Sequence, residues 1–343
     1  EIRGILGEGG MGMVYTARQT SIDREIALKM IKPKMAQNRD VQTVFLAEAA
    51  VTGELEHPNI IPIYELGIQE NGVLFYSMRK AIGVEWKSVI GKKNQEENIE
   101  ILMKVSDAVA FAHSKGIVHR DLKPENVMLG EFGEVLVMAW GLAASVIDGA
   151  KIGRITEANA AGGTPAYMAP EMCTGQVDLI GFQSDVYLLG AILYEIVTGK
   201  RPHYAKNMMD LLYNIATNKI EPTEQKGELV TIALKAMSAH PKDRHPSVKD
   251  LQKAVRDTLK HNESIALATT AQKDLDKAKE TGNYDLYAQA LFGYQEAVRL
   301  WGGNQAAVEG VTQTRMDYAR RAIAKEDLDL AASLASPLKS EYP

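Results

Sequence analysis

Four polar side chains of different chemistry fall within eight residues: Arg120, Asp121, Lys123 and Asn126 in His119-Arg120-Asp121-Leu122-Lys123-Pro124-Glu125-Asn126. Far upstream, Gly7-Glu8-Gly9-Gly10-Met11-Gly12-Met13-Val14 is a glycine-rich loop between two strand patterns. Glycine lets backbone amides approach phosphate oxygens closely, where a Cβ would obstruct. Alone this motif is weak. A helix after the loop would suggest a dinucleotide fold, but here a strand pattern follows. That strand contains Ile26-Ala27-Leu28-Lys29, and its period of two places Ala27 and Lys29 on one face, with Ile26, Leu28 and Met30 on the other. Taken together, these segments point toward phosphate chemistry.

The elements that must position them follow from periodicity. Residues 1–80 read as strands at Arg3–Leu6, Val14–Arg18, Glu25–Ile31, Ile61–Leu66 and Val73–Met78, with a helix over Val41–Leu55. Residues 82–261 read as mostly helical. Asn98–Lys115 is amphipathic, and Val186–Val197 is apolar nearly all round. Ser247, after Pro246, suits the N-cap of a last helix in this region. From about residue 262 Ala, Leu, Gln and charged residues dominate, with helices expected at Glu263–Glu280, Asp285–Trp301, Asn304–Ala324 and Asp327–Leu334. Breaks fall at Gly282-Asn283 and Gly302-Gly303. Ala290, Tyr294 and Ala297, followed by Gly302 and Asn304, resemble the second helix of one tetratricopeptide repeat. A plain amphipathic hairpin is the alternative.

The chain has 343 residues, which argues for two or three units. Its 45% hydrophobic and 24% charged residues are ordinary for a globular protein, and a net charge of −5 points to neither nucleic acid nor a polybasic membrane contact. Cys173 is the single cysteine, so a disulfide framework is excluded, in keeping with a cytoplasmic setting. No signal peptide is visible. The most apolar stretch, Val186–Gly199, contains Glu195 and is too short to span a bilayer. The chain opens at Glu1 inside a strand pattern, which points to a segment of a longer protein. Any membrane anchor would lie outside it.

The order of these motifs resembles the protein kinases, and in particular the bacterial eukaryotic-like Ser/Thr kinases, over residues 1 to about 261. The resemblance implies an α+β, bilobal fold: a β-rich N-lobe over 1–81 and a helical C-lobe over 82–262, followed by an all-α, repeat-like extension over 263–343. It implies ATP with Mg²⁺ or Mn²⁺ as cofactors. The nucleotide would lie against Gly7, Gly9, Gly10, Gly12, Val14 and Ala27. Met78 would be the gatekeeper, with the backbone around Lys80 and Ala81 as the hinge. Lys29 would reach the α and β phosphates and Glu48 would orient it. Asp121 would receive or orient the substrate hydroxyl, Lys123 would contact the γ phosphate, and Asn126 would hold a metal. Arg120 would steady the activation segment. Thr164, in Gly163–Glu171, would bond Asp121 and Lys123, while Asp185 would brace the catalytic loop and Glu171 would pair with Arg244. Ser145 and Thr156 are candidate phosphorylation sites, Thr156 the better placed.

At one position the chain departs from the pattern. Ala139-Trp140-Gly141 stands where the family has Asp-Phe-Gly or Asp-Trp-Gly, whose Asp is a metal ligand. A methyl group cannot coordinate magnesium. Losing about 4 kcal/mol of transition-state stabilisation would slow transfer roughly a thousandfold, so nucleotide binding with little turnover is expected. Two origins remain: a natural pseudokinase scaffold, or an active kinase with its Asp deliberately replaced. Retention of Lys29, Glu48, Asp121, Asn126 and Thr164 favours the second. A kinase-like phosphotransferase for small molecules is disfavoured by Lys123 and by Gly163–Glu171, which resemble parts that hold peptides. Protein substrates, and a partner or self-association through 263–343, are the expected macromolecular contacts.

Overall fold

A computed structural model describes residues 1–10, 12–147 and 153–340. The chain divides into two compact units, Glu1–Gln252 and Lys253–Pro343.

The first unit begins with a five-stranded antiparallel sheet in the order β1-β2-β3-β5-β4. Its strands are β1 (Ile2–Glu8), β2 (Gly12–Gln19), β3 (Arg24–Ile31), β4 (Ile63–Ile68) and β5 (Leu74–Arg79). β4 starts two residues later than its apolar run suggests, because Pro62 has no N–H to give to the ladder. Helix α1, Arg39–Glu54, starts where the Asn38 side chain accepts the amides of Asp40 and Val41. It lays Phe45 and Ala49 against Ala27, Ile31, Tyr76 and Met78 of the sheet. Burying Phe45 contributes roughly 1.5–3 kcal/mol, and it ties α1 to the strand that carries Lys29.

The remainder of this unit is mainly helical. Helix Gln95–Ser114 opens on a reciprocal cap between Asn94 and Glu97. Helix Phe182–Thr198 is buried from Ser184 through Glu195, and Gly199 ends it at φ 70°. Gly190 allows the close approach of helix Glu228–Ala236: a Cβ at Gly190 would stand 2.5 Å from the Cβ of Ala236. Two short strands, Val127–Gly130 and Val135–Val137, form the hairpin after the catalytic-loop sequence.

The helix expected to begin near Glu263 does not begin there. One continuous helix of 34 residues runs from Val248 to Thr281, through the expected boundary at 262. Nothing breaks it: after Pro246 there is no Pro or Gly until Gly282. The Ser247 hydroxyl accepts the Asp250 amide at its start. In the second unit, helices Tyr284–Leu300, Gln305–Ala324 and Leu328–Ala335 follow, capped by Asn283, Asn304 and Asp327. Their core is built of alanine and tyrosine, including Ala290, Tyr294 and Ala297. Small residues let the helices approach, and tyrosines fill the gaps between them. Among the described residues no helix is long and apolar enough to cross a membrane.

Gly190→Ala tests the close helix approach. Alanine normally favours a helix interior by about 1 kcal/mol over glycine. Overpacking costs about 1–3 kcal/mol, and Ala236 sits on a packed helix that cannot yield locally. Chemical denaturation should show a net loss of up to about 2 kcal/mol; a more stable variant would show that the helices are not in tight contact.

Candidate active site

The register of the sheet brings the first group together. Lys29 lies opposite Val14 on β2 and Tyr76 on β5, and Ala27 lies opposite Met78. Cross-strand partners share a face, so Val14, Lys29, Tyr76 and Met78 point the same way. Lys29 Nζ meets Glu48 Oε2 of α1 at 2.7 Å, and Glu48 is buried. An ammonium and a carboxylate at that distance, largely out of water, form a strong charge-assisted bond. Tyr76, absent from the sequence-based set, has its hydroxyl beside the Glu48 carboxylate. Burial first, then the nearby Glu48 carboxylate, push the Tyr76 hydroxyl's pKa up, so it stays a donor. The rings of Tyr76 and Phe45 lie 5.5 and 5.9 Å from Lys29 Nζ.

The second group is built on the loop 119–126. Asp185, fully buried in helix Phe182–Thr198, accepts the amides of His119 at 2.8 Å and Arg120 at 2.9 Å, and His113 Nε2 lies 2.8 Å away. Burial pushes the Asp185 carboxyl up, but the His113 bond and the nearby histidines outweigh it and hold the pKa below the usual range. Arg120 adopts φ 68°, a left-handed conformation this anchoring enforces. The Asp121 amide donates to His119 Nδ1, which places the ring proton on Nε2, 3.2 Å from the Met138 carbonyl. Burial lowers the His119 pKa and keeps the ring neutral.

Around Asp121 the polar groups converge. Thr164 Oγ1 donates to Asp121 Oδ1 at 2.6 Å. Lys123 Nζ lies 3.0 Å from Asp121 Oδ2 and also donates to Thr164. Asn126 Nδ2 donates to the Asp121 carbonyl at 2.7 Å and to Oδ2 at 2.9 Å. Arg120 donates to the carbonyls of Leu142, Asn159 and Ala160. Arg244 grips Glu171 with two bonds, 2.7 and 2.8 Å, and Ser184 adds a third donor. Both charges are buried, and leaving one unpaired costs about 3–5 kcal/mol.

Both groups face one cleft of about 540 Å³, lined by Gly7, Gly9, Gly12, Val14, Lys29, Glu48, Met78, Lys123, Asn126, Ala139 and Thr164. That volume suits a small-molecule ligand. A Cβ on Gly7 or Gly10 would meet nothing, whereas one on Gly12 would come 2.7 Å from the Met30 carbonyl. So Gly12 is required for strand packing as well as for the loop; Met11 lies outside the described residues. Ala27 is in the core beneath the cleft. Lys80 turns its side chain to Glu25 at 2.6 Å, and neither Lys80 nor Ala81 lines the cleft. Ser145 is a correction: it is 1% exposed, paired in a short ladder with Ile117, and closed to a modifying enzyme. Thr156 is exposed at the start of the short helix Glu157–Ala160. Ile61, Val127, Met128 and Met138 also line the cleft. In the sequence they cannot be told from ordinary core positions.

Ala139 sits on the cleft wall at φ 58°. A left-handed alanine costs roughly 1–2 kcal/mol, a conformation that Asn and Asp enter far more readily. Next to it Trp140 is buried against the His119 ring, centroids 4.5 Å apart.

Tyr76→Phe keeps the ring and removes one donor to Glu48. A hydrogen bond to a charged group is worth about 1.5–3 kcal/mol, so denaturation should report a loss of that size. Adenine-nucleotide titration should show weaker binding, because Glu48 is then less firmly held against Lys29. Unchanged affinity would mean that Lys29 alone positions the pair.

Comparisons with known proteins place this architecture. Residues 1–265 match the protein kinase domain family. Serine/threonine-protein kinase PknD of Protochlamydia amoebophila is 34% identical over 295 residues, covering 74% of this chain and 29% of the relative. PknD of Chlamydia trachomatis serovar D is 32% identical over 328 residues, covering 85% of this chain and 34% of the relative. PknB of Mycobacterium leprae is 31% identical over 263 residues, covering 74% and 42%. The chain therefore spans less than half the length of each of these relatives. With the family match covering well over half of its residues, the chain belongs to the protein kinase family.

Proposed function

We propose that the chain carries the kinase domain of a Ser/Thr protein kinase, binding ATP in the cleft described above, and that Ala139 leaves it inactive or nearly so. The observation that carries this reading is the cluster Asp121–Lys123–Thr164–Asn126 facing an alanine. Asp121 would receive or orient a protein Ser or Thr hydroxyl, held by Thr164 and Asn126. Lys123 would lie along the path of the transferred phosphate. Lys29, held by Glu48 and Tyr76, would position the phosphates. Arg120, Asp185 and the Glu171–Arg244 pair would keep the surrounding segments in place, and phosphorylation of the exposed Thr156 would act on the segment Arg120 holds.

The family generally uses ATP with Mg²⁺. The cleft fits the nucleotide but not the metal. Mg²⁺ requires near-octahedral oxygen coordination, and kinases supply part of it with a carboxylate at the position of Ala139. Asn126 has its amide nitrogen committed to Asp121, leaving one neutral oxygen. The left-handed backbone of Ala139, which suits aspartate, supports reading the alanine as a substitute for it.

A second reading is a pseudokinase scaffold with a partner site in the repeat-like helices. It is favoured by the apolar side chains exposed on the second unit: Ile265, Phe292, Ile323 and Leu328. A cytoplasmic setting suits either reading.

Phosphate transfer from ATP, with Mg²⁺ and Mn²⁺ in parallel, separates the two readings. Ala139→Asp should modify itself or a protein on Ser or Thr, and this chain should be slower by roughly a thousandfold. If both are silent while both bind ATP, the scaffold reading replaces the kinase one.

A further inference from the structure

We infer that the cleft binds an adenine nucleotide without any divalent cation, with Lys29 and Lys123 facing the phosphates, and that the methyl group of Ala139 is the cause. The inference rests on the nucleotide-binding reading above.

The argument is a charge account of the cleft wall. A carboxylate at position 139 would serve two opposed purposes: it would hold a cation, and without the cation it would repel the phosphates. Like charges a few ångströms apart in a partly buried site interact strongly. Alanine removes the ligand and the repulsion together. Three of the remaining carboxylates in and beside the cleft are occupied. Glu48 is neutralised by Lys29 at 2.7 Å, and Glu8 is paired with Lys32 at 2.7 Å. Asp121 receives Thr164, Lys123 and Asn126. Glu125 pairs with Arg201 through one oxygen while its Oε2 has no partner, and the exposed Glu85 also lines the cleft.

The cations retain donors. An ammonium has three N–H groups. Lys29 directs one to Glu48, leaving two. Lys123 directs one to Asp121 and one to Thr164, leaving one. Lys29 is also held from behind by the faces of Phe45 and Tyr76, so its ammonium is placed before a ligand arrives. Against this, Asn126 offers a cation one neutral oxygen, and among the described residues no group of three His, Cys, Asp or Glu side chains could hold a metal. Coupling between two ligands is reciprocal. A protein that gives the metal almost nothing gains almost nothing from it when the nucleotide binds.

The test is the dissociation constant of ATP, by calorimetry, in EDTA and in Mg²⁺, for this chain, Ala139→Asp and Ala139→Asn. This chain should bind equally in both conditions to within about threefold. Ala139→Asp should lose at least about tenfold in EDTA. Ala139→Asn, which restores an oxygen without charge, should keep its binding in EDTA. Binding by this chain only with Mg²⁺ would overturn the inference and leave the nucleotide reading standing. Equal binding in EDTA by Ala139→Asp would overturn the part assigned to the methyl group. No ATP binding by any of the three, in either condition, would overturn both.

Discussion

One buried carboxylate holds the centre of the first unit. Asp185 sits in the apolar interior of helix Phe182–Thr198 and receives two consecutive amides, those of His119 and Arg120. Left without that acceptor, each buried amide would cost about 1–3 kcal/mol. With it, Arg120 can occupy a left-handed conformation that turns Asp121 toward Asn126, Lys123 and Thr164. The charge is tolerated because the amides and His113 meet it on the side where water is absent. The order of causes therefore runs from an apolar helix, through one anion, to the geometry of a loop.

The opposite wall of the cleft is held by a different device. Lys29 lies on a strand whose partners face it with Val14 and Tyr76, and Glu48 comes from a helix packed on the same sheet by Phe45 and Ala49. Here packing comes first and the ion pair follows. The apolar contacts of α1 bring Glu48 within reach of Lys29, and the buried Tyr76 hydroxyl lies beside the same carboxylate. Both walls place their charges by burying their supports, which limits the motion of the side chains that face the cleft.

Against this preparation Ala139 is the exception. The backbone bends there as if for a residue that tolerates the left-handed region, and the side chain contributes nothing polar. Beside it Met138 donates its amide to the Asn126 carbonyl and Trp140 packs on His119, while the Trp140 indole N–H is buried without a partner.

The chemistry-bearing residues were legible because their roles are local. The spacing of Arg120, Asp121, Lys123 and Asn126 within one loop, the glycines of 7–12 and the period of Ala27 and Lys29 need no knowledge of the fold. So were most elements, since hydrophobic periodicity and caps such as Asn38, Asn94 and Ser247 act within a turn or two of chain. What the sequence hid depends on residues far apart. Tyr76 reads as one more aromatic in a strand, and only the register that sets it opposite Lys29 makes it a partner of Glu48. Ser145 reads as an open loop serine until its pairing with Ile117 buries it. The expected break near residue 262 followed composition, yet a change of composition does not by itself end a helix, and from Val248 no Gly or Pro occurs before Gly282. The sequence by itself determined which groups are available and their local order. The tertiary structure decided which of them meet, because burial and register are properties of the folded chain.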